Sequence, residues 1–215
     1  MTADPPLTVR PVAPELAAEF PELALVTTEV AGGGGRSARD VKERLRLLSD
    51  RFTGGRAVML RQEPVPWAYR VFFRQVGIDP DEHRTPIEQI AIDRLTDGGF
   101  KPRGRVQDAL LIATLETGVP TVAFDADRVD GELGLRLTGA GERLGGGGRS
   151  LARGQLAIAD RARALQVLFG DAADDALPGR DTTRIVLGAV RVKGVPGVSV
   201  EEALWSAAEM LQDSP

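Results

Sequence analysis

The 215-residue chain has no cysteine. That excludes disulfides, thiolate zinc sites, iron–sulfur clusters and a cysteine nucleophile. Histidine occurs once, at His83, so a metal site needing two imidazoles is excluded, and a His-dependent triad has only this residue to use; the GxSxG motif is absent as well. Aromatic residues are 5% of the chain, which leaves the core to Leu, Val, Ile and Ala. No apolar run approaches the length of about 18 residues that a membrane helix needs, so no span is expected. The opening MTADPPLTVRP lacks a basic start and an apolar h-region, so no signal peptide is expected, and a cytoplasmic location follows by default. Lysine is scarce too: of 27 basic residues only Lys42, Lys101 and Lys193 are lysines. With abundant Ala and Gly, this reads as GC-rich coding rather than function. The net charge of −4 argues against non-specific wrapping of nucleic acid but is compatible with a local basic patch.

What is present changes character along the chain. Residues 1–22 contain Pro5, Pro6, Pro11, Pro14 and Pro21; proline fixes φ and removes a donor, so no long helix is expected before Phe20. LALVTTEV (23–30) predicts a strand, followed by a flexible loop at Gly32–Gly35. Ser37 as N-cap, with Asp40 three residues on, predicts a helix to about Phe52. Its apolar face is Val41, Leu45, Leu48 and Phe52, and Gly54 and Gly55 stop it. Trp67 to Val76 predicts another helix, ended by Gly77. Thr85, Pro86 and Glu88 have the chemistry of N-cap, N1 and N3, with Ile87, Ile90, Ala91 and Leu95 as the buried face and Gly98 as the stop. Val106 to Glu116 is apolar around much of its circumference and therefore central; Gly118 ends it. After Pro120 come short β-prone runs at 121–124, 132–138, 155–160, 164–169 and 184–192. Ser199 and Glu202 suggest a capping box for a final helix carrying Val200, Leu204, Ala207 and Leu211. Helices first and strands second indicate an α+β fold, with 1–215 as one domain.

Several motifs have a chemical look. GGGGRS occurs at 32–37 and 145–150. A phosphate-binding P-loop needs an earlier glycine and a lysine, and here Val30 and Arg143 hold the first position while Arg36 and Arg149 hold the second. Two flexible loops are the better reading, although backbone amides at Ser37, where a helix begins, suit a phosphate. Asp125, Asp127 and Asp130 lack calcium-loop spacing, and turn chemistry explains them, as a solvated loop explains Asp174 and Asp175. His83, in DPDEHRTP, reads as a surface residue. Arg51, Arg56, Arg61, Arg70 and Arg74 interleave with Trp67, Tyr69, Phe72 and Phe73. Such a pattern suits phosphate contacts with base stacking. It equally suits a helix with core aromatics and solvated arginines, and on the residues alone the second reading is favoured.

YRVFFRQVGIDPDEHRTPIEQI (69–90) resembles the opening helix and following loop of free-standing B3/B4 proteins. VQDALLIATLETGVPTVAFDADRVDGEL (106–133) is similar to a segment of the phenylalanyl-tRNA synthetase β subunit containing a Val-Asp helix, a Gly-x-Pro turn and Ala-Phe-Asp. Here those are Val106 and Asp108, Gly118 and Pro120, and Ala123-Phe124-Asp125. GERL (141–144), QLAIAD (155–160) and RDTTRIVLGAV (180–190) continue the order, over about 40–195 in all. The resemblance implies a B3/B4-type α+β fold: a β-sandwich of unusual topology flanked by helices. It also implies a task in clearing wrongly charged tRNA or in binding tRNA, with tRNA or aminoacyl-tRNA as partner; no cofactor and no metal are expected.

The chain departs from the synthetase pattern. Val122 stands where the editing site has His, Gly188 where it has Glu, and Leu110 and Leu111 where it has Thr-Asn. A pocket without polar partners binds a phenol poorly, because an unpaired hydroxyl is costly to bury; tyrosine specificity is therefore not expected. An aminoacyl ester is already activated, so positioned water and backbone donors suffice in principle. The expected substrate pocket is Arg105, Leu110, Val122, Gly170 and Gly188, with Arg105 on ribose or phosphate. The expected tRNA contacts are Arg70, Arg74 and Arg103, and no catalytic residue is assigned. Trans-acting deacylation of misacylated tRNA comes first, then a non-catalytic tRNA- or RNA-binding module, then a binder of amino acids or other small molecules.

Overall fold

The computed structural model describes residues 4–212. Its centre is a four-stranded antiparallel sheet assembled from distant parts of the chain. The strands are β1 (Thr8–Arg10), β2 (Ala24–Ala31), β3 (Thr121–Asp125) and β7 (Arg184–Arg191), in the order β1-β2-β7-β3. A second antiparallel sheet, β4 (Gly134–Leu137), β5 (Leu156–Ala159) and β6 (Ala164–Val167), is ordered β4-β5-β6. The architecture is the expected α+β sandwich with flanking helices. The prolines before Phe20 permit only a six-residue helix, α1 (Pro14–Glu19).

The two faces of the first sheet meet different neighbours. Thr121, Ala123, Leu187 and Ala189 point to α6 (Arg105–Thr117) and α7 (Gly197–Gln212), as shown by the Thr121 hydroxyl donating to the Leu110 carbonyl at 3.1 Å. Ala109 and Ala113 of α6 and Ala203 and Ala207 of α7 are buried, and their small side chains allow the two helices to approach closely. Ile112, Leu187 and Leu204, all fully buried, supply apolar burial of roughly 1.5–3 kcal/mol each. The other face carries Leu25, Thr27, Phe124 and Val186, and the second sheet closes over it; Arg10 bridges from Thr27 (2.7 Å) to Glu132 (3.5 Å) beside β4.

Most helices appear where the periodicity puts them, while their ends shift. α2 is Arg39–Arg51 and Val41, Leu45 and Leu48 are buried, but Ser37 does not cap it: the N-cap is Ala38, with no side-chain bond. Gly54 and Gly55 do not simply end that helix. They open a short one, α3 (Gly54–Met59), capped by Thr53. α4 (Pro64–Gln75) starts earlier than Trp67, because Pro64 fits the first turn, where no N–H is needed. α5 (Pro86–Asp97) has the expected Thr85/Glu88 capping box and the left-handed Gly98, but Leu95 is exposed. α7 begins at Gly197, so Ser199 lies inside it rather than capping it.

The second sheet is tied together by Glu142. Its carboxylate accepts from Arg136 at 2.5 and 2.9 Å and from the N–H groups of Gly139 (2.8 Å) and Ala164 (3.1 Å). The Arg136 bonds, aided by these amides, pull its pKa down to about 2. A depressed carboxylate stabilises the fold above its unfolded pKa and loses that contribution as pH falls through the folded value. Stability is therefore expected to drop between about pH 5 and pH 2, by up to ~3 kcal/mol from this group. Urea titrations across that range should show a flatter profile for Glu142→Gln; an unchanged profile would refute the assignment.

Candidate nucleic-acid interface

Where β2 ends, the glycine run 32–35 continues alongside the segment leading into β7. Gly32 N–H donates to Thr183 O (2.9 Å) and Gly34 N–H to Gly179 O (3.1 Å). A Cβ at Gly33 would collide with the Thr182 carbonyl, and one at Gly34 with that of Gly179. The glycines are there because two backbones touch. This run is a pinned ribbon rather than a flexible loop, and two of its amides are already committed. The second GGGGRS also packs tightly: Gly145 N–H donates to Ala164 O, Gly148 N–H to Leu144 O, and Arg149 pairs with Asp171.

The first ribbon forms one wall of a cleft of about 820 Å³. Residues 102–107, entering α6, and 178–180 form the others. Arg36, Lys42, Arg103 and Arg180 line it, and among the described residues no Asp or Glu does. Only Arg103 of these four has a carboxylate near it among the described residues, Asp97 at 3.9 Å, with both side chains exposed. A chain of net charge −4 thus concentrates four cations in one concavity, a geometry that focuses field on an anionic ligand.

Two buried carboxylates hold the walls. Asp108 is fully buried; it accepts from Ser37 Oγ at 2.5 Å and from the Arg103 N–H at 2.8 Å, fastening the ribbon to the α6 entrance. This is where the Ser37 hydroxyl goes instead of capping α2. Asp125 accepts from Thr182 Oγ1 at 2.6 Å, and that same oxygen accepts from Gly179 N–H at 2.9 Å, so the third wall is fixed to β3. Asp108, Asp125 and Thr182 all belong to the motifs that carry the resemblance, and here each positions cleft backbone.

A family model described as B3/4 domain matches residues 68–213. The chain belongs to the B3/4 domain family. Among similar proteins, the phenylalanine–tRNA ligase beta subunit of Cutibacterium acnes is 34% identical over 107 residues, covering 47% of this chain and 12% of that protein. That of Gloeobacter violaceus is 32% identical over 166 residues, covering 60% and 21%. The match therefore spans at most about a fifth of the length of these relatives. The family match covers two cleft cations, Arg103 and Arg180, and begins after the other two, Arg36 and Lys42.

In this B3/4 domain the expected pocket residues divide among three places. Val122 and Gly188 are register partners, and a Cβ on Gly188 would sit 3.1 Å from Val122 Cγ2 and 3.5 Å from Leu25 Cδ1. The space a larger residue would need is therefore filled. Leu110 and Arg105 lie on the opposite face of that sheet, because α6 packs against Thr121 and neighbouring strand residues alternate. The Arg105 guanidinium bonds to the Leu211 carbonyl near the end of α7, a favourable place for a cation. Gly170 is exposed in the turn after β6. The five do not converge, so a single pocket built from them is corrected to these three locations.

The expected tRNA contacts divide as well. Arg70 is 4% exposed and bonds to Glu88 and Asp81 at 2.6 Å each, which takes it out of any phosphate-contact set. Arg74 is exposed, sits 5.8 Å over the Trp67 ring and is 3.7 Å from Asp81. Arg103 is the one expected contact that lies in the cleft. Nothing in the sequence brings Arg36, Lys42 and Arg180 together. GGGGRS marks the first, but nothing local links it to residue 180.

Proposed function

We propose that this B3/4 domain protein binds tRNA, with Arg36, Lys42, Arg103 and Arg180 meeting the phosphate backbone. The observation that carries this reading is the concentration of four cations in one cleft of an otherwise acidic chain, with no acid lining it among the described residues. The tRNA ligase relatives support the choice of nucleic acid. Four phosphate contacts predict a log–log salt slope of roughly −3, and each charge reversal removes about 1 from its magnitude. Filter binding of unfractionated tRNA should show this slope, reduced by Arg36→Glu and by Arg180→Glu. Arg74→Glu, outside the cleft, should leave it unchanged. A flat salt series, or indifference to both cleft reversals, would remove the proposal.

The finer reading is trans-acting hydrolysis of misacylated tRNA. The ordered motifs shared with the synthetase module favour it. With Val122 packed against Gly188 and His83 exposed, such hydrolysis would rest on bound water and backbone donors rather than a side-chain base. A panel of misacylated tRNAs decides between the two: release no faster than with heat-inactivated protein, for every amino acid, leaves binding alone.

A further inference from the structure

A second concavity, of about 410 Å³, lies between α1, the end of α4 and the second sheet. It has the opposite chemistry to the basic cleft. Four phenyl rings line it: Phe20, Phe72, Phe73 and Phe169. Phe20 meets Phe72 edge-on at 5.4 Å, and Phe169 stacks on Phe73 at 5.5 Å while meeting Tyr69 edge-on. In a chain with only 5% aromatics, this is where they gather. Phe169 is also the one non-glycine residue with positive φ among the described residues, at 58°. An aromatic side chain in that region is strained, by about 1 kcal/mol or more, and such strain persists where surrounding contacts impose it.

The polar lining has one sign. Among the described residues Glu19 is the sole charged one of the lining, and no Lys or Arg contributes. Glu19 is exposed and has no ion-pair or hydrogen-bond partner from a side chain among the described residues. Gln75 adds an exposed amide, while the Gln155 side-chain oxygen already accepts from Ala152 N–H. The faces of phenyl rings carry negative potential and attract cations. Rings and carboxylate therefore act in the same direction.

We propose that this cleft binds an organic ammonium ion on an apolar body, the ammonium meeting Glu19 and the ring faces. Carboxylates are disfavoured because Glu19 repels them and no cation lines this cleft among the described residues, Lys193 lying in the adjoining hollow beyond Glu19 and Phe20. This site is independent of the tRNA reading, and the assay contains no nucleic acid, so the two stand or fall separately.

The test uses phenethylamine and benzyltrimethylammonium against the isosteres 2-phenylethanol and 3-phenylpropionate, measured by calorimetry or ligand-observed NMR on the full chain. Both ammonium compounds should bind, the carboxylate at least about tenfold more weakly. Glu19→Gln, a surface change, should reduce the preference for amine over alcohol, and Glu19→Lys should abolish it. Equal binding of amine and carboxylate, no binding of either ammonium compound at millimolar concentration, or ammonium binding unchanged by Glu19→Lys would each overturn the proposal.

Discussion

Glu88→Ala is expected to be among the most destabilising single substitutions in this protein. The Glu88 side chain is 3% exposed and its partner Arg70 4%. One carboxylate oxygen accepts from Arg70 at 2.6 Å and lies 3.1 Å from Arg61 Nε; the other accepts from the Thr85 hydroxyl and N–H at 2.7 and 3.1 Å. One side chain thus caps α5 and neutralises a guanidinium buried on α4. Without it, Arg70 keeps Asp81, which is largely solvent-exposed, and a long bond to the Pro80 carbonyl at 3.4 Å. Leaving a buried charge without its partner costs about 3–5 kcal/mol, and losing the cap adds about 1. For a chain of this size the melting temperature should fall by roughly 8–24 °C. Replacing both partners by apolar residues, Arg70→Met with Glu88→Leu, should recover most of the loss, because the desolvation penalty goes with the pair. Urea denaturation of the single and double variants is the measurement. A loss under about 1 kcal/mol for Glu88→Ala would contradict this account.

Asp108→Ala is expected to be the largest single-residue loss for tRNA binding, exceeding either charge reversal although the residue touches no phosphate. It is fully buried, and its two acceptors hold the Ser37 hydroxyl and the Arg103 amide. Removing it strands both donors, at about 2–4 kcal/mol, and releases the ribbon bearing Arg36 from the segment bearing Arg103. Binding should fall by roughly 10- to 100-fold because the cations are no longer preorganised. Asp108→Asn keeps an acceptor for the Arg103 amide and an amide that Ser37 can meet, so it should retain most of both. If Asp108→Ala lowers stability but leaves tRNA affinity unchanged, the cleft is not the binding surface.

The departures from the sequence expectations share a cause. Ser37 has good N-cap chemistry, yet its hydroxyl goes to Asp108, 71 positions away. Arg70 has the spacing of a solvated arginine, yet it is buried because Glu88 arrives from the next helix. Gly33 and Gly34 resemble a flexible linker until Thr182 and Gly179 are seen against them. In each case a tertiary partner outweighs a local preference worth about 1 kcal/mol. The family resemblance, by contrast, was legible because its motif residues are fixed by the fold: Asp108, Asp125 and Thr182 are buried and hydrogen-bonded.

By itself the sequence determined the α+β class, the position of every strand but β1, the caps of α5 and the left-handed glycines after α5 and α6. These are set by periodicity, proline and glycine within a few residues of one another. Tertiary structure alone decided which arginines face solvent, that Val122 fills the space beside Gly188, and that residues 36, 42, 103 and 180 share one cleft. Local pattern reports only the face of an element a residue occupies. What that face meets depends on backbone approach and charge pairing between segments far apart in the chain.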